Sequence, residues 1–279
     1  MTTYAMLIDI DRCTGCYNCF LSCKDEFCGN DYPGYSAAQP EFNQYWMNMK
    51  EVERGSYPKV KVDYIPIPCQ HCENAPCMKA AVDGAVYRRD DGIVIIDPVK
   101  AKGQRDIAHA CPYRVIFWNE ALELPQKCTF CAHLLDKGWK LPRCVEACPT
   151  DAKVFGDLDD PGSDVSKLKA SGNYSDLRPE YNTFPKVLYA NRPKRFIAGE
   201  VLRADQKDEC AQGARVILEK DGAEVSSTMT NLYGDFEFEG LEKGVDYTVK
   251  VELDGYGPKR FQVNTRIDVN LGEIELTPV

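Results

Sequence analysis

Residues 13–23 hold four cysteines, Cys13, Cys16, Cys19 and Cys23, in the spacing C-x2-C-x2-C-x3-C. Three cysteines two residues apart can wrap one loop around an iron–sulfur cubane, whereas the fourth, carried onto the next helical turn, reaches a different cluster. Such a run demands partner cysteines elsewhere, and two further groups follow. Cys69, Cys72 and Cys77 are spaced C-x2-C-x4-C with Cys111 downstream, and Cys128, Cys131, Cys144 and Cys148 are spaced C-x2-C-x12-C-x3-C.

Fourteen cysteines in 279 residues could in principle make disulfides or zinc sites. Short-spaced groups within a long chain read as metal ligands rather than as a disulfide framework. Zinc ribbons use two separate C-x2-C pairs around a tetrahedral ion, which leaves the tight Cys13–Cys23 run unexplained. The reading is therefore iron–sulfur.

A hydrophobic content of 44% suffices for more than one core at this length. Of the net charge of −9, −7 falls in residues 195–279, which carry 10 Lys+Arg against 17 Asp+Glu, so neither half offers the basic face that nucleic acid requires. The N-terminus lacks a basic stretch followed by an apolar core of signal-peptide length, and no apolar run approaches the ~20 residues that span a bilayer. The expectation is a cytoplasmic chain without a membrane anchor.

Tyr4–Ile10 reads as a strand feeding the first cysteine loop, Phe20–Phe27 as a helix, and Lys59–Ile65 as a strand. Gly84–Asp97 reads as a hairpin turning at Asp91-Gly92. Arg114–Asn119 and Ala152–Gly156 return as strands after Cys111-Pro112 and Cys148-Pro149, where proline ends the preceding helix at the ligand. This repetition of cysteine loop, helix, Cys-Pro and strand is an internal repeat, read as two interleaved ferredoxin-like modules, residues 1–28 with 125–156 and residues 58–120. Residues 157–196, rich in Asp, Gly, Ser, Asn and Pro, read as an irregular connector. From Ile197 the runs Val216–Leu218, Asp235–Phe238, Tyr247–Val251 and Arg266–Leu271, separated by glycine turns, predict a small antiparallel β-sandwich over 197–279. The fold class is α+β followed by an all-β domain.

Crossing of the fourth ligands distributes twelve cysteines over three [4Fe–4S] clusters. Cluster A takes Cys13, Cys16, Cys19 and Cys148; cluster B takes Cys23, Cys128, Cys131 and Cys144; cluster C takes Cys69, Cys72, Cys77 and Cys111. Cys28 and Cys210 remain, read as plain thiols. Counting back from Cys111 in the register of the first run lands on Ala101, Gln104 and Ile107, and the place of a fourth ligand after Cys77 is Ala81. All four positions of one cubane are non-ligands, so either a fourth site has gone as a whole or this module never had one. Ile107 and its apolar neighbours should fill that space, with Gln104 hydrogen-bonded or turned to solvent. His71, between two ligands, is expected to donate a hydrogen bond to the site rather than to ligate, and His109 and His133 to pack or face solvent. No Ser/His/Asp set, phosphate loop or paired carboxylate stands out, so no catalytic residue is assigned.

With these spacings, residues 1–156 resemble the iron–sulfur subunits of the dimethyl-sulfoxide-reductase family of molybdenum enzymes. The resemblance rests on the Cys13–Cys23 run, Cys69-x2-Cys72-x4-Cys77, the segment Gly92–Pro98, Cys111-Pro112-Tyr113, and Cys128 to Thr150. It implies an electron-transfer subunit bound to a large catalytic partner, on which molybdenum is held by a bis-pterin guanine dinucleotide, with cluster A nearest that partner. Familiar members carry four clusters and pass electrons to a membrane anchor; here the anchor-facing site is the one occupied by Ala81, Ala101, Gln104 and Ile107. Residues 197–279, with Gly213-Ala214, Thr230-Asn231, Gly234 and Asp254-Gly255-Tyr256, are similar to the prealbumin-like domains of collagen-adhesin B-type repeats and carboxypeptidase tails. Three clusters followed by such a domain is the layout of a transhydroxylase branch of the family, which implies a heterodimer that moves a hydroxyl between trihydroxy- and tetrahydroxybenzenes. The alternative is an electron-transfer subunit of another bis-pterin reductase or dehydrogenase with a soluble acceptor.

Overall fold

The computed structural model describes residues 2–206 and 209–279. The chain divides into two compact units, Met1–Val52 with Asp63–Arg192, and Glu53–Val62 with Pro193–Val279. In the first unit β1 (Tyr4–Asp9) leads to α1 (Asn18–Phe27), and β2 (Asn48–Ser56) with β3 (Lys59–Ile67) forms a hairpin whose tip counts with the second unit. Short elements follow: α2 (Pro76–Ala80), β4 (Val86–Arg88), β5 (Val94–Ile96), α3 (Asp106–His109), β6 (Phe117–Asn119), β7 (Leu124–Gln126), α4 (Ala132–Leu135) and α5 (Arg143–Glu146). The unit ends with β8 (Lys153–Asp157), α6 (Asp164–Ala170) and β9 (Val187–Ala190).

β1 is the centre of this unit because its apolar run is covered on both faces. Met6 and Ile8 enter the core that also holds Cys19, Cys23, Cys128 and Cys144, whereas Ala5 and Leu7 pack with Val165 and Leu188. Its neighbours are β8, antiparallel, and β9, parallel. The expectation of an irregular connector at 157–196 is therefore wrong in part: it contains α6, which covers β1, and β9, which pairs with it. Ser163 starts α6 by accepting a hydrogen bond from the Ser166 N–H at 3.1 Å. A boundary at 156 falls inside the first unit, whose contacts run on to Arg192.

Helix α1 carries Cys19, Cys23 and Phe27 on one buried stripe, the i, i+4, i+8 spacing of a single helical face. The hairpin turning at Asp91-Gly92 is present as β4 and β5, with Gly92 at φ 84° and Val86 opposite Ile96. Among the described residues, no helix is long and apolar enough to cross a membrane.

The second unit has two sheets around one core. Its strands are β10 (Arg195–Arg203), β11 (Arg215–Lys220), β12 (Ala223–Met229), β13 (Asp235–Leu241), β14 (Asp246–Glu252), β15 (Lys259–Asn264) and β16 (Val269–Leu276). They are ordered β13-β10-β16 and β12-β11-β14-β15. Val201, Val216, Leu218, Phe236, Val249, Val251 and Ile274 fill the space between the sheets. The sandwich is mixed rather than antiparallel, because β10 and β16 run parallel. The run Arg266–Leu271 is not one strand either: the chain turns at 265–267 before β16.

Asp268 lies just after that turn and explains it. Its buried carboxylate pairs with Arg195 at 2.9 Å and Arg54 at 3.1 Å, and accepts the Phe196 N–H at 3.1 Å. Removing one partner of such a buried set leaves charge uncompensated, so Asp268→Ala should cost about 3–5 kcal/mol. A lowered unfolding midpoint of this unit, with iron content unchanged, is the expected result.

Candidate iron–sulfur sites

Electrostatic coupling sorts eleven of the twelve cysteines into three neighbourhoods, and Cys16 stands exposed in the loop between Cys13 and Cys19. Cys19 lies within electrostatic reach of Cys13 and Cys148; Cys23 of Cys128 and Cys131, and Cys144 of all three; Cys72 and Cys77 of Cys69 and Cys111. Cys19 and Cys23 share one face of α1 and couple to each other, but their other sulfur neighbours differ. The group of Cys148 and that of Cys144 are split in the same way across α5, so α1 and α5 run antiparallel, with Ser22 Oγ 3.5 Å from the Arg143 carbonyl and Arg143 Nε 3.3 Å from Glu26.

Backbone geometry repeats from loop to loop. Two residues after Cys13, Cys69 and Cys128 stand Gly15, His71 and Phe130, with φ of 68°, 43° and 52°. Three residues after Cys111 and Cys148 stand Arg114 and Asp151, with φ of 55° and 48°. Left-handed conformation is uncommon outside glycine, and its recurrence at equivalent places means the loops are bent to turn N–H groups inward. The His71 N–H lies 3.5 Å from Cys69 Sγ and the Phe130 N–H 3.4 Å from Cys128 Sγ. Backbone N–H groups of Tyr113, Arg114 and Val115 reach Cys111, and those of Thr150 and Ala152 reach Cys148. Gly15 has a second reason to be glycine: a Cβ there would sit 2.5 Å from the Tyr64 ring.

Burial pushes the Cys72 thiol up to about 12, and those of Cys77 and Cys128 to about 11, with neighbouring sulfurs adding to the rise. Cys148 goes the other way: burial raises it, but Lys153 and the Thr150 and Ala152 N–H groups together bring it below the ordinary thiol value. Mostly buried thiols grouped together, several with backbone N–H groups beside them, suit a group that takes thiolates and replaces their lost solvent.

The fit to a cubane is clearest at the third neighbourhood, where Cys69, Cys72, Cys77 and Cys111 all line one small cavity together with Ala75, Val94, Tyr113 and Ile116. Among the described residues, no three His, Cys, Asp or Glu side chains converge on a single-ion site. Each thiolate of a cubane binds a different iron, so its ligands stand further apart than donors sharing one ion.

His71 is fully buried, and burial holds its pKa well below the usual imidazole value. Its Nδ1 accepts the Val94 N–H at 3.1 Å, which leaves the proton on Nε2, a buried atom with no partner among the described residues. His133 is buried instead against Tyr32 and bonded to Glu26 at 2.9 Å, while His109 is exposed. Cys28 ends α1, and Cys210 contacts Glu200 at 3.8 Å; neither joins the three groups.

At the four non-ligand positions protein fills the space. Ala101 and Ile107 are fully buried among Cys72, Cys77, Val86, Val94 and Ile96, with Ala81 against them. Gln104 ties two backbone segments together, accepting the Val82 N–H at 3.0 Å and donating to the Lys100 carbonyl at 2.8 Å.

Two buried side chains escaped the sequence reading, Lys127 and Lys153. Each is an ordinary lysine in a strand-like context, and only its position in space sets it apart.

A model of the 4Fe-4S dicluster domain matches residues 60–158, and one of the carboxypeptidase regulatory-like domain matches residues 197–277. The chain is 42% identical to the pyrogallol hydroxytransferase small subunit of Pelobacter acidigallici, over 99% of its own length and 100% of that protein's. It is 36% identical to a tetrathionate reductase subunit of Salmonella typhimurium, over 72% of this chain and 77% of that one. Identity to the arsenate respiratory reductase iron-sulfur subunit of a Shewanella species is 33%, over 66% and 94%. The chain therefore belongs to the iron–sulfur subunits of the dimethyl-sulfoxide-reductase family of molybdenum enzymes, within the branch of the pyrogallol hydroxytransferase small subunit.

Proposed function

We propose that the chain is the non-catalytic subunit of a heterodimeric transhydroxylase, whose large subunit carries molybdenum on a bis-pterin guanine dinucleotide and moves a hydroxyl between pyrogallol-type and tetrahydroxybenzene substrates. Three [4Fe–4S] clusters reside on this chain: A on Cys13, Cys16, Cys19 and Cys148; B on Cys23, Cys128, Cys131 and Cys144; C on Cys69, Cys72, Cys77 and Cys111. The ligand loops form two interleaved ferredoxin-like modules, residues 1–28 with 125–156 and residues 58–120, followed by a prealbumin-like domain from about residue 197. When bound, the clusters supply one-electron storage and transfer; the chain supplies thiolates, N–H donors and exclusion of water.

One observation carries this reading, the linear order of the three thiol groups. Cys19 and Cys23 join A to B along α1, and Cys128 of B lies within reach of Cys69 of C. Of the twelve thiols, Cys16 alone is exposed, which suits A as the end that meets the partner. Beyond C, Ile107 and Ala101 close the path. A hydroxyl transfer between two benzenes needs no net electrons, so a relay with one outlet serves to set or restore the reduced state of the metal rather than to turn over in each cycle.

Purifying the native complex through this chain tests the reading. The expected result is one large co-purifying chain with molybdenum, activity without an added electron acceptor, and clusters whose redox state stays constant in freeze-quench EPR during turnover. A stoichiometric acceptor requirement, or cluster reduction and reoxidation in step with turnover, would instead make the chain an electron-transfer subunit of an ordinary reductase or dehydrogenase.

A further inference from the structure

Burying an ammonium without a counter-charge is strongly unfavourable, yet Lys127 and Lys153 are 2% and 4% exposed. Among the described residues neither has a carboxylate partner. Lys127 Nζ donates only to carbonyls, of Val94 at 2.5 Å and Cys128 at 3.0 Å. Lys153 Nζ has a sulfur instead, Cys148 Sγ at 3.9 Å.

The negative charge that would balance them is supplied by the sites. Lys153 Nζ lies 3.9 Å from Cys148 Sγ of set A, and its charge is also coupled to Cys19 of set A and Cys144 of set B. Lys127 Nζ is bonded to the carbonyl of Cys128, a residue of set B, and to that of Val94, which lines the cavity of set C. Each lysine therefore stands at a junction, and the two junctions are different ones. Resting on the three-cluster reading above, we propose that Lys153 is the counter-charge of the A–B junction and Lys127 that of the B–C junction, each raising the reduction potential of the two clusters beside it. Reduction adds a negative charge to a cubane, and a fixed cation close by stabilises the reduced form more than the oxidised one. Cluster B alone is flanked by both, so an electron entering the chain is favoured in the middle.

The test is redox titration of the native complex followed by EPR, after iron has been counted. Lys153→Met should lower two of the three midpoint potentials, each by at least a tenfold change in the reduction equilibrium, about 59 mV for one electron. Lys127→Met should lower two as well, and one couple only should be moved by both. Lys153→Arg and Lys127→Arg, which keep the charge, should restore most of the shift. Potentials that do not move, or that all fall together, overturn the assignment. An iron count short of about twelve in the unsubstituted protein would sink the three-cluster reading instead. If a methionine variant loses a cluster, the unsubstituted complex with 15N-labelled lysine side chains decides: pulsed EPR should detect lysine nitrogen coupled to the reduced clusters, and no coupling at full iron content overturns the assignment.

Discussion

Replacing Cys23 by Ala is expected to abolish the EPR signal of the cluster shared with Cys128, Cys131 and Cys144, and to leave untouched the cluster of its helical neighbour Cys19. The two thiols are one turn apart on the buried face of α1, a separation of about 6 Å along the axis. Cys23 nevertheless neighbours Cys128, Cys131 and Cys144, whereas Cys19 neighbours Cys13 and Cys148. Iron should fall from about twelve towards about eight per chain, four being the content of one cubane. Cys144→Ala should reproduce the Cys23→Ala spectrum, and Cys148→Ala that of Cys19→Ala, because α5 repeats the split in the opposite direction. If Cys23→Ala and Cys19→Ala damage the same cluster, the crossing of ligands between the two runs is wrong.

Ile107→Ala should give the second large effect, through packing alone. Ile107 is fully buried between the loop of Cys72 and Cys77 and the hairpin of Val86, Val94 and Ile96. Truncating a buried isoleucine to alanine costs about 2–5 kcal/mol, the spread reflecting how far the surroundings collapse. The measurable outcome is a lower thermal midpoint of the first unit and faster loss of iron from the neighbouring set of Cys69, Cys72, Cys77 and Cys111. Ile107→Cys, by contrast, should bind no additional iron, since Ala81, Ala101 and Gln104 offer no ligands. Near-native stability of Ile107→Ala would mean that the space is loosely filled.

Strong local signals made much of this legible in the sequence. The apolar run of β1, the Cys19-Cys23-Phe27 stripe, the Asp91-Gly92 turn and the alternation in β11, β13 and β14 each declare their structure within a few residues. What escaped depends on distant partners. β9 is a four-residue apolar run in a polar stretch, and only its parallel pairing with β1 makes it a strand. The parallel pairing of β10 with β16 is equally invisible from alternation. Helices α2 to α5 have four or five residues each, too short for a periodic pattern, and their positions follow from the ligand loops. Those loops also force His71 and Phe130 into left-handed backbone that neither residue prefers. Lys127 and Lys153 show nothing unusual in sequence, because their burial beside the cysteine sets exists only once the strands and loops are assembled around them.

Iron and acid-labile sulfide should be counted together on the anaerobically purified complex, with Mössbauer spectra to assign the cluster type. Three cubanes on this chain correspond to about twelve irons and about twelve sulfides, all as [4Fe–4S] centres. About sixteen of each, about eight of each, or stoichiometric zinc in place of iron would contradict the assignment of the three thiol sets.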